Sequence, residues 1–224
     1  MPDPNDSSLP ALPATSWAVL GMLTFGEELS GTDLKKWADW SVGFYYWSPS
    51  LSQVYAELKK LETLGFVQSR EISEWGERTR RIFGITQSGV DAVRIWSRES
   101  PVEFPVLKHG VMLRLWMGHL NDPDHLKAIV RTHIVNLEEK MAKAVEHADH
   151  SEGEPGWAFS KMSLRWAARH FQAEIDLARD LLEEIDEAAA LFAQSRVDAL
   201  GLPTPVDPGI WKSVDDGMRK PRSD

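Results

Sequence analysis

The sequence predicts a mainly α protein with one small β-hairpin, split between a module of short elements and a region of long helices. Three observations predict it. From Thr15 to Ser97 the apolar spacing reads helix, helix, helix, hairpin, helix. At "ESPVEFP" prolines interrupt the chain and the composition shifts to helix formers. Between about 158 and 198, Leu164, Ala168, Phe171, Ile175, Ala178, Leu182, Ile185, Ala189 and Phe192 recur at alternating steps of four and three, a heptad seam.

Each element has a local reason. "TSWAVLGMLTF" is dense enough in apolar residues for a buried helix capped by Thr15 or Ser16. Ser30 and Asp33 form a capping box for a helix over 31–40 with Leu34, Trp37 and Ala38 on one face. After an aromatic loop, Ser50 and Gln53 form a second box, and Leu51, Val54, Leu58 and Leu61 share the core face of the helix that follows. Gly65 ends that helix as a C′ residue. "FVQSREI" and "RRIFGIT" are β-prone runs joined by a Gly-containing turn, and Thr86 caps a helix to about Ser97. Asp122-Pro123 starts a long helix to about Ala148, "DHSEGEPG" breaks it, and the seam helix follows. The expected division is a flexible arm 1–14, a short-element domain 15–98, a linker 99–106, a helical domain 107–200 and a flexible tail 201–224.

Composition bounds the chemistry. The chain has 224 residues, 42% hydrophobic and 26% charged, ordinary values for a globular protein. No apolar run approaches the roughly 18 residues of a membrane span, and the first residues lack the basic and apolar regions of a secretory signal. No cysteine is present, which excludes disulfides, thiolate metal sites and Cys nucleophiles. A cytoplasmic protein without membrane partners is the simplest expectation. The formal net charge of -9 argues against nucleic acid as a partner unless basic residues gather locally.

They do gather. Opposite the core face, the helix after Ser50 carries Ser52, Ala56, Lys59 and Lys60, with Gln53 beside them and Tyr55 on the flank. Small residues let a backbone approach a groove, Ser and Gln can bond base edges, and Lys neutralises phosphates. The hairpin adds Arg78, Arg80 and Arg81; strand alternation sends Arg78 and Arg80 to one face and Arg81 to the other. Two other readings stay open for these residues. The helix face could be plain solvated surface, and the arginines could pair with Glu71, Glu74 and Glu77 on their own hairpin.

"SLSQVYAELKKLETLGFVQS" followed by "GERTRRIFGITQSG" resembles the PadR family of winged-helix regulators. The shared pattern falls on Ser52 to Tyr55, Leu58, Leu61, Glu62, Gly65, Phe66 and Val67, then on Phe83, Ile85, Thr86 and Gly89. The resemblance is specific over about 15–97, and "SLRWAARHFQAEIDLARDLLEEI" is similar to the helical domain of the family's virulence-activator branch. It implies an N-terminal winged helix-turn-helix domain and a C-terminal long-helix dimerisation domain. It implies a homodimer, usually a repressor, that binds a palindromic operator in double-stranded DNA and is often released by a small molecule or stress. The DNA-contacting set is then Ser50, Ser52, Gln53, Tyr55, Ala56, Lys59, Lys60, Arg78, Arg80 and Arg81. The seam residues Phe171, Ile175, Ala178, Leu182, Ile185, Ala189 and Phe192 fit a dimer interface, on the independent ground of their spacing.

Ten tryptophans are many for this length, and Trp96 with Trp166 could line an effector pocket or simply pack in the core. Among seven histidines, His147 and His150 lie close to Asp149 and Glu152 at a helix end, a metal cluster or a solvated terminus. His109, His119, His125, His133 and His170 show no ligand spacing. No phosphate loop, nucleophile elbow or HExxH sequence occurs, so no enzyme, cofactor or resident metal is expected. A helical interaction module that docks protein instead of DNA is the alternative function.

Overall fold

In the computed structural model, residues 9–73, 79–204 and 209 are described. The chain divides into two compact units, one of residues 1–106 with 138–172, the other of 107–137 with 173–224. Compactness therefore groups 138–172 with the N-terminal module, otherwise than a single cut at 99–106 does.

In the first unit, α1 (Ala14–Met22), α2 (Gly31–Trp40) and α3 (Leu51–Thr63) precede β1 (Val67–Ile72), β2 (Arg80–Ile85) and α4 (Gln87–Glu99). Leu20, Leu23, Leu34, Val54, Leu58 and Leu61 are fully buried and form its centre. Both capping boxes exist as the sequence reads them: Ser30 with Asp33, and Ser50 with Gln53. The first helix departs from expectation. Pro13 occupies its N-cap, and Thr15 and Ser16 lie buried inside the helix. Ser16 is free of capping because its hydroxyl donates to the Glu57 carboxylate on α3. Leu9 and Leu12, expected in a flexible arm, pack against the core.

β1 and β2 pair antiparallel from Val67↔Ile85 to Ile72↔Arg80. Leu29 adds a one-residue bridge beside Phe83, with reciprocal backbone bonds of 2.9 Å. The stretch "GEELSG" is therefore more than a turn. Gly65, at φ 73°, reverses the chain between α3 and β1.

Thr86 locks the next corner. Its hydroxyl donates to the Gly65 carbonyl at 2.7 Å and accepts from the Gly89 amide at 3.1 Å, so one side chain caps α4 and fixes the exit of α3. Thr86→Val is expected to cost about 1–2 kcal/mol, read by urea unfolding, with Thr86→Ser close to wild type. Equal stability of the Val variant would contradict this role.

The second unit contains α5 (Gly110–Trp116), a short helix not foreseen from the sequence, with parts of α6 (Pro123–His150) and α7 (Ala158–Phe192). The long seam helix stops at Phe192, short of 198. Its seam is closed within one chain. Ala178 and Ile185 pack with Leu126 and Val130, joined by Val111, Leu115, Ile134, Leu181 and Leu182. Ile175 is 1% exposed, while Leu182, Ala189 and Phe192 are half-buried. Phe171 is buried in the first unit, edge-on to Phe44 at 6.4 Å. Phe171, Ile175, Ala178 and Ile185 are thus buried within one chain, while Leu182, Ala189 and Phe192 keep part of their surface open. A heptad stripe marks a helix that needs an apolar partner, and α5 with α6 supplies one in cis along 173–192. Among the described residues no helix is long and apolar enough to cross a membrane.

Candidate nucleic-acid interface

α3 is held in place before it presents anything. Val54, Leu58 and Leu61 are 0% exposed and anchor one face. Leu51, expected in the core, is 41% exposed, because it stands at the first helical position, ahead of the turn that packs. Ser50 Oγ accepts from the Gln53 amide at 3.3 Å, and Gln53 Oε1 accepts from the Ser50 amide at 2.8 Å. The carboxamide oxygen of Gln53 is therefore engaged, leaving its NH2 group to donate outward. Ser52, next to Ser50 with hydroxyls 3.0 Å apart, and Ala56 are exposed.

Tyr55 has a structural task. A Cβ at Gly31 would come within 2.6 Å of its ring, so the start of α2 rests directly on that ring. A larger residue at position 31 would push the ring aside. The Tyr55 residue is still 43% exposed.

The cations divide into two sets. Arg81 donates to Glu62 at 2.8 Å and to Ser69 Oγ at 2.8 Å, and its guanidinium lies 5.3 Å from the Phe83 ring centre. The Ser69 hydroxyl and the Arg81 guanidinium together hold the Glu62 carboxyl below its usual range. This tie persists above the ordinary carboxylate pKa and is lost as pH falls through the lowered one. Arg70 is taken up by Glu28, whose carboxyl is lowered mainly by that hydrogen bond. Neither arginine pairs with Glu71. Lys59, Lys60 and Arg80 are exposed and make no ion pair among the described residues. Tyr55, Lys59, Glu62 and Thr63 of α3 share one shallow concavity with Arg81 and Phe83 of β2. Arg78 lies outside the described residues.

The first unit also contains a cavity of about 520 Å³, lined by Trp37, Trp40, Trp157, Leu164, Glu27 and Asp33 among others. Trp37 and Trp157 stack with centroids 6.1 Å apart. The expected pocket residues are elsewhere: Trp96 stacks on Trp17 at 5.3 Å against the core, and Trp166 stacks on His170 at 5.2 Å. Neither lines this cavity. Sequence spacing could not select among the tryptophans on helices, since each of those fits a helix face.

The histidine-rich helix end does not converge. His147 Nδ1 bonds the Trp40 carbonyl at 3.0 Å, His150 Nδ1 bonds the Glu146 carbonyl at 2.7 Å, and Glu152 pairs with Lys161 at 3.0 Å. Instead His109, His133 and Glu174 come together in the second unit. Their separations of 65 and 41 residues leave no motif to find.

No family model matches the chain. Over 101 residues it is 34% identical to a negative transcriptional regulator, PadR, of Bacillus subtilis strain 168, an alignment covering 45% of this chain and 54% of that protein. The chain thus spans about half the length of the curated relative it matches. In fold it is similar to Bacillus subtilis PadR in complex with operator DNA, with a TM-score of 0.66 at 21% identity, over 77% of this chain and 99% of that one. It is also similar to the Vibrio cholerae virulence activator AphA, with a TM-score of 0.57 at 21% identity, over 77% of this chain and 98% of that one. The fold is that of a PadR-like winged helix followed by long C-terminal helices.

Proposed function

We propose that this PadR-like chain is a cytoplasmic, sequence-specific transcriptional regulator, not an enzyme, that represses by binding double-stranded DNA. It acts as a homodimer on a palindromic operator, and a small molecule or stress signal releases it. The observation that carries the reading is the sorting of cations around α3. Arg70 and Arg81 are neutralised within the protein, whereas Lys59, Lys60 and Arg80 stay exposed without an ion pair among the described residues, Arg80 feeling only the nearby charge of Asp33. An acidic chain that keeps these cations exposed and out of ion pairs beside a capped, small-residue helix face has a surface suited to a major groove flanked by phosphates.

Roles follow from position. Ser52, Ala56 and the Gln53 NH2 group face base edges. Lys59, Lys60 and Arg80 meet phosphates, and Arg78, outside the described residues, is given the same role from its place in the sequence. Ser50 and Tyr55 hold the helix, and Arg81 braces the wing. The Trp-lined cavity of about 520 Å³ is large enough for a small effector. For the dimer, the closed seam leaves other apolar surface: Leu177 and Leu191, two heptads apart on α7, are 62% and 70% exposed.

The test is a fluorescence-anisotropy titration on DNA selected from the source genome, repeated over a salt series. Lys59→Ala and Arg80→Ala are each expected to lower the slope of log affinity against log salt by about 0.9 while weakening all sequences alike. Ser52→Ala is expected to change which sequence is preferred and leave the slope alone. Failure of the wild-type protein to retain any fragment at low salt would remove the proposal.

A further inference from the structure

The second unit gathers three potential metal ligands from three helices. His109 stands at the N-cap of α5, His133 on α6 and Glu174 on α7. His109 Nε2 lies 2.5 Å and His133 Nε2 3.3 Å from the same oxygen, Glu174 Oε1. The imidazole rings meet edge to face with centroids 5.1 Å apart. All three side chains are largely shielded, at 14%, 23% and 21% exposed.

We propose that His109, His133 and Glu174 form a binding site for one divalent transition-metal ion of the zinc class. The donor set decides the class: two imidazole nitrogens and one carboxylate suit Zn²⁺, Co²⁺ or Ni²⁺, and disfavour Mg²⁺ and Ca²⁺, which take oxygen ligands. Metal bonds of about 2.0–2.1 Å at tetrahedral angles place donors about 3.3 Å apart. The His133–Glu174 distance already has that value, and the His109–Glu174 contact opens by under an ångström to reach it. Three protein ligands leave a fourth position for water or another ligand.

Binding carries a structural consequence. His109 Nδ1 accepts from the Met112 amide at 3.1 Å and so caps α5, which puts the ring proton on Nε2. A metal on Nε2 moves that proton to Nδ1, where it opposes the Met112 N–H. The ion therefore replaces the hydrogen bonds of both Nε2 atoms to Glu174, each ring proton passing to Nδ1, and loosens the first turn of α5.

The test strips the full chain with a chelator and titrates ZnCl2 by calorimetry, with Co²⁺ absorption as a second readout. One equivalent is expected, with a dissociation constant of about 1 μM or tighter. Zinc at about 100-fold excess over that constant is expected to raise the melting temperature by about 5 °C or more. His133→Gln and Glu174→Gln are each expected to weaken binding by about 100-fold. His109→Ser keeps a capping hydroxyl but removes the imidazole, so it separates loss of a ligand from loss of the cap. Circular dichroism verifies folding for each variant. Binding of no zinc overturns the proposal, as does zinc binding that all folded variants retain, which would place the ion on other histidines.

Discussion

Gly89→Ala is expected to destabilise the winged-helix module more than any other single-methyl change. Gly89 lies at the third position of α4, where Thr86 caps the helix. A Cβ there would stand well inside van der Waals distance of the Phe66 carbonyl oxygen and 2.8 Å from Ile85 Cγ1. The obstacle is backbone, not the end of a flexible side chain, and Phe66 is fixed by its own bond from the Thr86 amide at 3.0 Å. Relief requires moving α4 away from the start of β1, which also strains the Thr86 hydroxyl bonds. Overpacking of this kind costs about 3 kcal/mol, a fall of about 6–12 °C in melting temperature for a chain of this size. A differential scanning experiment showing a shift under about 2 °C would mean that the helix yields freely. Gly89 has the ordinary negative φ of a helix, so the demand for glycine is one of space and not of handedness.

The second large effect concerns the α7 seam. Ile175 is 1% exposed in a single chain, so Ile175→Ala leaves a cavity whatever the oligomeric state. The expected cost is about 2–5 kcal/mol, set by how far the surroundings collapse. The melting temperature is expected to fall by the same amount across a hundredfold range of protein concentration, as befits a core residue. A loss confined to low concentration would instead place Ile175 between subunits. In the proposed dimer, contacts then fall to residues that one chain leaves exposed, Leu177 and Leu191 among them.

These two cases mark where the sequence is legible. Features written over short spans read correctly: the Ser30–Asp33 and Ser50–Gln53 boxes, the turn at Gly65, the hairpin, and Thr86 as a cap. Each depends on residues within a few positions, where spacing dictates geometry. The mainly helical architecture with one hairpin also follows from periodicity. What periodicity cannot give is the identity of a partner. It marks the α7 stripe as apolar but not that Leu126 and Val130 of the same chain cover it. It places Arg81 beside acids but not that Glu62, 19 residues earlier on α3, takes it. It leaves Leu51 on the core face although the packed turn begins one step later. The three ligands His109, His133 and Glu174 meet only once three helices have docked.

The Arg81–Glu62 tie has a mechanical meaning. It spans from the last turn of α3 to the second strand of the hairpin, with the Ser69 hydroxyl bonded to both partners. In the proposed complex α3 and the hairpin touch DNA at different places, one among base edges and one along the backbone. The tie sets the jaw width of a caliper before DNA arrives. In that proposed complex Glu62 acts without meeting a nucleotide, by holding α3 and the hairpin at one spacing.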